Sequence, residues 1–151
     1  MGKLRLMSSL VIREASSKDA DSMIGVLKTI YLQDEEWARK ALKKLLATEN
    51  YVILVAELDG AVVGFIDYYI LPSLWEKWYE ATIPNLFVHK DYQGMGIGSK
   101  LLEEVIKRAD DAGIVELFVG TEKENRRAIR LYKKHGFTKE YLLLEREKAK
   151  Q

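Results

Sequence analysis

A glycine-rich loop between an apolar run and an amphipathic helix places the strongest constraint on what this chain can fold into. The loop reads Gln93-Gly94-Met95-Gly96-Ile97-Gly98, after a run that ends at Val88 and before a helix predicted over Ser99–Ala112. The glycines let the backbone turn tightly and approach a ligand closely, and the helix directs free N–H groups and its positive dipole end at the loop. The segment therefore predicts a phosphate-binding strand–loop–helix unit.

Two common phosphate-binding patterns do not fit this loop. A dinucleotide fingerprint that opens at Gly94 requires a third glycine where Ser99 stands, and a Walker A loop requires a lysine directly after Gly98. The pattern that does fit is Gln-x-x-Gly-x-Gly, at Gln93, Gly96 and Gly98. It resembles the acyl-CoA loop of the GNAT family of N-acetyltransferases. An ordinary flexible strand-to-helix connection is the alternative.

A second segment, residues 125–137, resembles the other cofactor segment of the same family. Asn125 opens a predicted helix, Tyr132 follows seven residues later, and Gly136-Phe137 closes it. The helix also has an apolar stripe at i, i+3, i+4 and i+7 that includes Tyr132, so this ring fits a core position equally well. Basic residues crowd the segment and suit a ligand with several phosphates, although a solvated helix face is the alternative for most of them. They are Lys123, Arg126, Arg127, Arg130, Lys133 and Lys134.

The resemblance implies an α/β (α+β) fold with a mixed, mostly antiparallel central sheet that is splayed at the acyl-CoA site and flanked by about four helices. It implies acetyl-CoA as cosubstrate, with the pantetheine arm pairing against the exposed backbone of the splayed strand. The cofactor-binding residues that it implies are Leu86, Phe87, Val88, Gln93, Gly94, Met95, Gly96, Ile97, Gly98, Ser99 and Asn125.

Acetyl transfer to an amine requires a neutral nucleophile, a polarised thioester carbonyl and a proton for the leaving thiolate. A lysine-like amine is almost entirely protonated at neutral pH, so a base or desolvation must assist it. Backbone N–H groups near Phe87 and Val88 are expected to hold the carbonyl oxygen. The resemblance places Tyr132 beside the sulfur as the proton donor.

The general base is the least determined part of the predicted site. Several family members have a glutamate in the middle of the splayed strand, where this chain reads Glu80-Ala81-Thr82-Ile83-Pro84-Asn85. Glu80 is the nearest carboxylate and is the predicted base, although a solvated surface residue is the alternative for it. Glu122, before the second cofactor helix, and His89, after the strand, are further candidates.

The periodicity along the chain predicts the order β-α-α-β-β-β-α-β-α-β, which matches the family plan. The family often ends in two strands, whereas only one fits here before Gln151. The C-terminal edge is therefore open to completion by a partner subunit, and a homodimer is one expectation. The predicted strands are Leu10–Glu14, Tyr51–Leu58, Ala61–Ile70, Ala81–Val88, Val115–Val119 and Phe137–Arg146. Besides the Ser99 and Asn125 helices, one helix is predicted after Ser16-Ser17, with Asp19 as the acid of a capping box, and one from about Glu35 that ends before Asn50. Asp59-Gly60 predicts a type I′ hairpin turn between the second and third strands.

Length and composition fit a single N-acetyltransferase domain over 1–151, with residues 1–9 as a flexible arm. A formal net charge of +1 argues against a generic nucleic-acid partner. The absence of cysteine excludes disulfides and indicates a reducing cytoplasm, and two separated histidines offer no metal spacing. No apolar run approaches a membrane span. We therefore expect a cytoplasmic protein without a metal, a nucleic-acid partner or a membrane partner.

Acceptor specificity is expected on the first two helices and on the loop before the splayed strand. That region is aromatic and acidic, which favours a small cationic amine, a polyamine or a protein or peptide amine. Packing in the core or in a dimer interface is the alternative for some of the rings. The aromatic residues are Tyr68, Tyr69, Trp75, Trp78 and Tyr79, and the acidic ones are Asp34, Glu35, Glu36 and Asp67. The predicted function is amine acetylation by direct attack in a ternary complex; the alternative is a non-catalytic acyl-CoA-binding regulatory module.

Overall fold

One mixed sheet with helices on both faces makes up the described part of the chain, residues 9–150 of the computed structural model. Nearly all of the predicted flexible arm lies outside the described residues. The elements in chain order are β1 (Leu10–Glu14), α1 (Ala20–Ile30), α2 (Glu35–Leu46), β2 (Tyr51–Leu58), β3 (Ala61–Pro72), β4 (Tyr79–Ile83), β5 (Leu86–Val88), α3 (Ile97–Asp111), β6 (Glu116–Val119) and α4 (Arg126–Lys134), with 3₁₀ turns at Ser17–Asp19 and Lys90–Tyr92.

The sheet has the predicted mixed character. Its strand order is β1-β2-β3-β4-β6, and β5 pairs with β3 in line with β4. Only the β4–β6 pair is parallel, and the other pairs are antiparallel. The β2–β3 hairpin turns at Asp59 and Gly60, whose φ angles of 50° and 81° are the positive values that a type I′ turn requires. The hairpin prediction is therefore confirmed.

Each face of the sheet has its own apolar core. Buried residues of α1 and α2 pack on one face, with Met23 and Ile24 fully buried against Val55 and Phe65 of the hairpin. Residues of α3 and α4 pack on the other face, where Leu101 is fully buried. Because successive side chains of a strand alternate between faces, this division fixes which face each strand residue occupies.

The start of α1 is held by the predicted capping box. The backbone N–H of Ser16 donates to Asp19 at 2.8 Å, and the Arg13 guanidinium donates to both oxygens of the same carboxylate at 2.8 and 2.9 Å. This pairing lowers the pKa of Asp19, with the Arg13 bonds as the largest cause.

No helix within residues 9–150 is long and apolar enough to cross a membrane.

The strand predicted over Ala81–Val88 is broken into β4 and β5. Tyr69 pairs with Thr82, and Ile66 pairs with Leu86, so three residues of this chain segment face only two of β3. The extra residue lies at the break, where Pro84 has no N–H to donate to a ladder. The predicted interruption of the sheet is therefore a one-residue bulge that separates β4 from β5.

The predicted final strand over Phe137–Arg146 is wrong, because this segment forms no strand. The Tyr141 ring contacts Phe118 of β6 with centroids 5.9 Å apart, yet residues 139–150 form no backbone hydrogen bond with the rest of the described chain. Four consecutive apolar residues, 141–144, do not alternate with polar ones, so a strand here would need an apolar layer on both faces. The described chain provides no such layer at this edge, and the four side chains are at least 62% exposed.

Candidate active site

A cleft of about 660 Å³ lies between β5, the glycine loop, the start of α3 and the helix α4. The structure brings together in its wall all the predicted cofactor-binding residues except Met95, together with Tyr132. Sequence reasoning did not assign several other lining residues to the site: Pro84, Asn85, Tyr92, Gly120, Thr121 and Ala128. Only proximity to the predicted motifs could have indicated them.

The glycine loop has the geometry of an anion site. Gly94 and Gly96 have φ angles of 80° and 86°, in the left-handed region that side chains avoid. Gly96 is the residue before α3, and its carbonyl accepts the N–H of Lys100 at 3.1 Å, which leaves the N–H groups of the first helical turn outside the helix's own bonds. The Gln93 side chain donates to the carbonyl of Val88 at 3.0 Å and ties the loop to β5.

Cationic side chains from α4 complete the anion site. Arg127, Arg130 and Lys134 line the cleft, and the Arg127 guanidinium lies 3.8 Å from the position that a Cβ on Gly94 would take. The N-terminus of α3 and the glycine backbone form one wall, and the cationic side chains of α4 form the other. Together they suit a ligand with several phosphates. The basic crowding seen in the sequence was the signal for these residues.

One edge of β5 is available to a ligand. β5 pairs with β3 on one side, and within residues 9–150 no strand pairs with its other edge, because β6 pairs with β4 only and ends at the Ile83–Val119 pair. Leu86, Phe87 and Val88 line the cleft along this edge. Free N–H and C=O groups of an open strand edge are a ready partner for an extended amide-containing chain.

Tyr132 lies in the cleft wall as well as against the core. Its ring packs on Phe137, with centroids 5.9 Å apart, and it is one of the residues that line the cleft. Its hydroxyl has no hydrogen-bond partner among residues 9–150. Burial raises the pKa of Tyr132, so the phenol stays protonated well above neutral pH. Both interpretations of this residue, core aromatic and proton donor, are compatible with its position.

Asn125 lies in the cleft wall, whereas the candidate bases Glu80 and His89 do not. The Asn125 carboxamide oxygen caps α4 by accepting the N–H of Ala128 at 3.1 Å, while the residue also lines the cleft. Glu80 lies on β4, in register with Glu116 of β6, and does not line the cleft. The His89 ring accepts the N–H of Asp91 at 3.1 Å. Of the predicted acids and bases, only Tyr132 therefore lies in the cleft wall.

The predicted aromatic and acidic wall is dispersed. Tyr68 is buried in the core on the α3 face, whereas Trp75 is 92% exposed. The indole N–H of Trp78 donates to Glu116 at 2.9 Å. Asp67 is only 3% exposed, which raises its pKa, with desolvation as the largest cause. Tyr68 and Asp67 are therefore buried groups and not solvent-facing parts of an acceptor wall.

A bulged strand with an open edge, beside a helix N-terminus ringed by cations, defines the acyl-CoA-dependent transferase class. The family model described as "Acetyltransferase (GNAT) family" matches residues 19–137, and the chain belongs to this family. It is 33% identical over 143 residues to an uncharacterized N-acetyltransferase of Methanocaldococcus jannaschii, a match that covers 87% of this chain and 62% of that protein. It is 30% identical over 145 residues to thialysine N-epsilon-acetyltransferase of Bos taurus, covering 86% of this chain and 85% of that protein.

Solved structures share the fold. A transcriptional regulator from Bacillus halodurans superposes with a TM-score of 0.81 at 26% identity, covering 91% of this chain and 99% of that one. The aminoglycoside N-acetyltransferase AAC(6')-Iy in complex with CoA superposes with a TM-score of 0.79 at 17% identity, covering 93% and 95%. Together with the family match and the N-acetyltransferase relatives, this makes the chain an acetyl-CoA-dependent enzyme of the GNAT type.

Proposed function

We propose that this enzyme transfers the acetyl group of acetyl-CoA to a primary amine of a small, positively charged acceptor. The observation that carries the proposal is the open edge of β5 between the bulge and the cation-ringed start of α3. The phosphates of CoA would bind at the N–H groups of the loop and at Arg127 and Arg130, and the pantetheine amides would pair with β5. This arrangement directs the thioester toward the bulge.

The reaction follows from the groups that line the cleft. The amine nitrogen forms a bond to the acetyl carbon while backbone N–H groups near Phe87 and Val88 hold the carbonyl oxygen. The carbon–sulfur bond breaks, and the thiolate takes a proton from the hydroxyl of Tyr132. The nitrogen loses its proton to solvent through a base, and solvent returns one proton to the Tyr132 phenolate. The net products are the N-acetyl amine and CoA.

The cationic character of the acceptor rests on the face of the sheet opposite α3. Ala81 and Ile83 of β4 belong to the α3-side core, so Glu80 projects to the other face, beside Glu116 of the parallel strand β6. Neighbouring like charges on a sheet repel each other, and a bound cation relieves this repulsion. The indole of Trp78, bonded to Glu116, adds an aromatic surface. The relatives include one named for thialysine and one named for L-amino acids, from Escherichia coli.

A panel of amines tests the acceptor class. Polyamines and lysine-like amines should react with a higher kcat/KM than neutral or acidic amines, by about 2- to 30-fold if one cation–aromatic contact is made. The preference should weaken with added salt, because exposed charges are screened. Release of the CoA thiol measures the rates. Fastest reaction of acidic amines would contradict the cationic acceptor, and CoA binding without turnover on any amine would favour a non-catalytic regulatory module.

Glu80 is proposed as the base, and the same assay separates this role from simple binding. If Glu80 accepts the ammonium proton, Glu80→Gln should move the pH profile of kcat to higher pH, because only amine already neutral in solution then reacts. If Glu80 only attracts the acceptor, the variant should raise KM for cationic amines and leave the pH profile of kcat unaltered. The second result would remove Glu80 from the chemistry.

We also propose that two copies of the chain form a dimer through their C-terminal segments. Each copy has an uncovered sheet edge at β6, beside an apolar segment, 141–144, that has no backbone partners within residues 9–150. A twofold axis lets the segment of each copy pair with the β6 edge of the other, so one symmetric contact covers both features in each copy.

The oligomeric state tests the dimer. Sedimentation of the wild-type protein at micromolar concentration should give a dimer. Leu142→Lys combined with Leu144→Lys should give a monomer, because two lysines cannot be buried between sheets without partners. CoA affinity should stay unchanged, since neither residue lines the cleft. A wild-type monomer, or a dimer that survives both substitutions, would contradict this mode of association.

A further inference from the structure

A buried carboxylate in the middle of β3 has no part in the chemistry described so far. Asp67 is 3% exposed and lies on the α1 face of the sheet, because its neighbours Ile66 and Tyr68 belong to the core on the α3 face. Its Oδ1 accepts the backbone N–H of Asn85 at 2.8 Å, and its Oδ2 accepts the Asn85 carboxamide at 2.9 Å. The hydroxyl of Tyr51 also donates to Oδ2. Burying a carboxylate costs desolvation free energy, so this position calls for a role that an apolar residue could not fill.

These hydrogen bonds replace backbone bonds that the bulge removes between β3 and the β4–β5 segment. At the break, three residues of the β4–β5 segment face two residues of β3, and one of the three is Pro84, which cannot donate. The N–H of Asp67 donates to the carbonyl of Asn85 at 3.2 Å, which is the ladder bond that remains. The carboxylate supplies the acceptor for the Asn85 N–H and fixes its side chain. Asn85 is thus bound to one residue through three hydrogen bonds.

Asn85 directly precedes β5, the strand whose open edge is proposed to receive the acyl group. Pro84 and Asn85 line the cleft, and Leu86–Val88 follow directly. A change in the peptide planes at Asn85 would therefore turn the N–H groups of β5 away from the position of the carbonyl oxygen. The phosphate-binding loop lies farther along the chain and has its own anchor, the Gln93 bond to Val88.

We infer that Asp67 is a positioning residue, which acts through Asn85 to hold the bulge in the geometry that the acyl-transfer step requires. This inference rests on the proposed function for its kinetic consequence. Its structural consequence, a rigid bulge, is independent of what the enzyme acetylates.

Asp67→Asn tests the role against a matched control. The carboxamide presents an N–H group to Asn85 where the carboxylate presented an oxygen, so one of the three links is lost. We expect kcat to fall by about 10- to 100-fold, as for a small misplacement of reacting groups, while CoA affinity by calorimetry stays unchanged. Asp19→Asn is the control: Asp19 is 6% exposed and also accepts three hydrogen bonds, but its partners Arg13 and Ser16 do not line the cleft, as Asn85 does. It should lower Tm and leave kcat unaltered.

Hydrogen exchange provides a readout that needs no turnover. Amides of residues 85–88 should exchange about 10-fold faster in Asp67→Asn than in the wild type, and not in Asp19→Asn. Asn85→Ala, which keeps both backbone links, should give a smaller increase and serves if Asp67→Asn does not fold. Unchanged exchange at 85–88, or equal kcat losses in the Asp67 and Asp19 variants, would overturn the inference. Absence of turnover in the wild type would instead count against the proposed function.

Discussion

Gly96→Val should weaken CoA binding by about 10- to 150-fold while the domain stays folded. Gly96 has a φ of 86°, and a left-handed conformation costs a residue with a side chain about 1–2 kcal/mol. The loop relieves this strain by turning its N–H groups, and the loss of one hydrogen bond to a charged phosphate then costs about 1.5–3 kcal/mol of binding free energy. Titration calorimetry with CoA measures it.

Gly113→Val is the matched control, because it produces the same strain at the other end of the same helix. Gly113 follows α3 with a φ of 73°, and an added Cβ would meet no atom within 4 Å. The control should lower Tm about as much as Gly96→Val does, with CoA affinity intact. Gly98 is a different case: a Cβ there would have ordinary contacts at 3.8–3.9 Å, so weaker CoA binding in Gly98→Val would report obstruction of the ligand and not strain. Unchanged affinity in a folded Gly96→Val protein would remove the phosphate site.

Local signals in the sequence were sufficient for the elements that depend on local physics. Asp59-Gly60 predicts its turn because both residues tolerate a positive φ whatever surrounds them. Pro84 likewise has no N–H in any context, which suits it to a break in a strand. The glycine loop and the start of α3 likewise follow from short motifs. These elements include the glycine loop and β5, so the residues of these two segments that line the cleft were within reach of the sequence.

The elements that depend on distant neighbours were not predictable in this way. The apolar run at 141–144 has the composition of a strand, but a strand forms only where an edge and two apolar layers receive it. From the sequence, Asp67 cannot be distinguished from an exposed acid on a half-buried strand. Its burial follows from the bulge, which places Asn85 opposite it. Which basic residues of α4 face the cleft depends on how that helix packs on the sheet.

Tyr132→Phe should lower kcat by about 10- to 1,000-fold without loss of stability, because it removes a proton donor and keeps the ring. The contact with Phe137 involves only the rings, and the hydroxyl has no partner among residues 9–150, so no protein hydrogen bond is lost. Tm should therefore stay the same or rise slightly. In the wild type, burial raises the pKa of Tyr132 and keeps the donor protonated through the physiological range, so a decrease of kcat due to its ionisation should begin only at a higher pH than for a solvent-exposed tyrosine.

Three measurements on Tyr132→Phe, namely kcat, Tm and CoA affinity, distinguish a proton donor from a core aromatic. A proton donor predicts a low kcat with wild-type Tm and wild-type CoA affinity, whereas a core aromatic predicts wild-type kcat in the variant. Tyr31→Phe, the same change at a tyrosine that is 74% exposed and outside the cleft wall, should alter none of the three. Full activity of Tyr132→Phe would assign the residue to packing and leave solvent to protonate the thiolate. A thiol with a pKa of about 8.5 needs no proton above that pH. The loss of kcat in Tyr132→Phe should therefore be largest below about pH 8.5 and decrease above it.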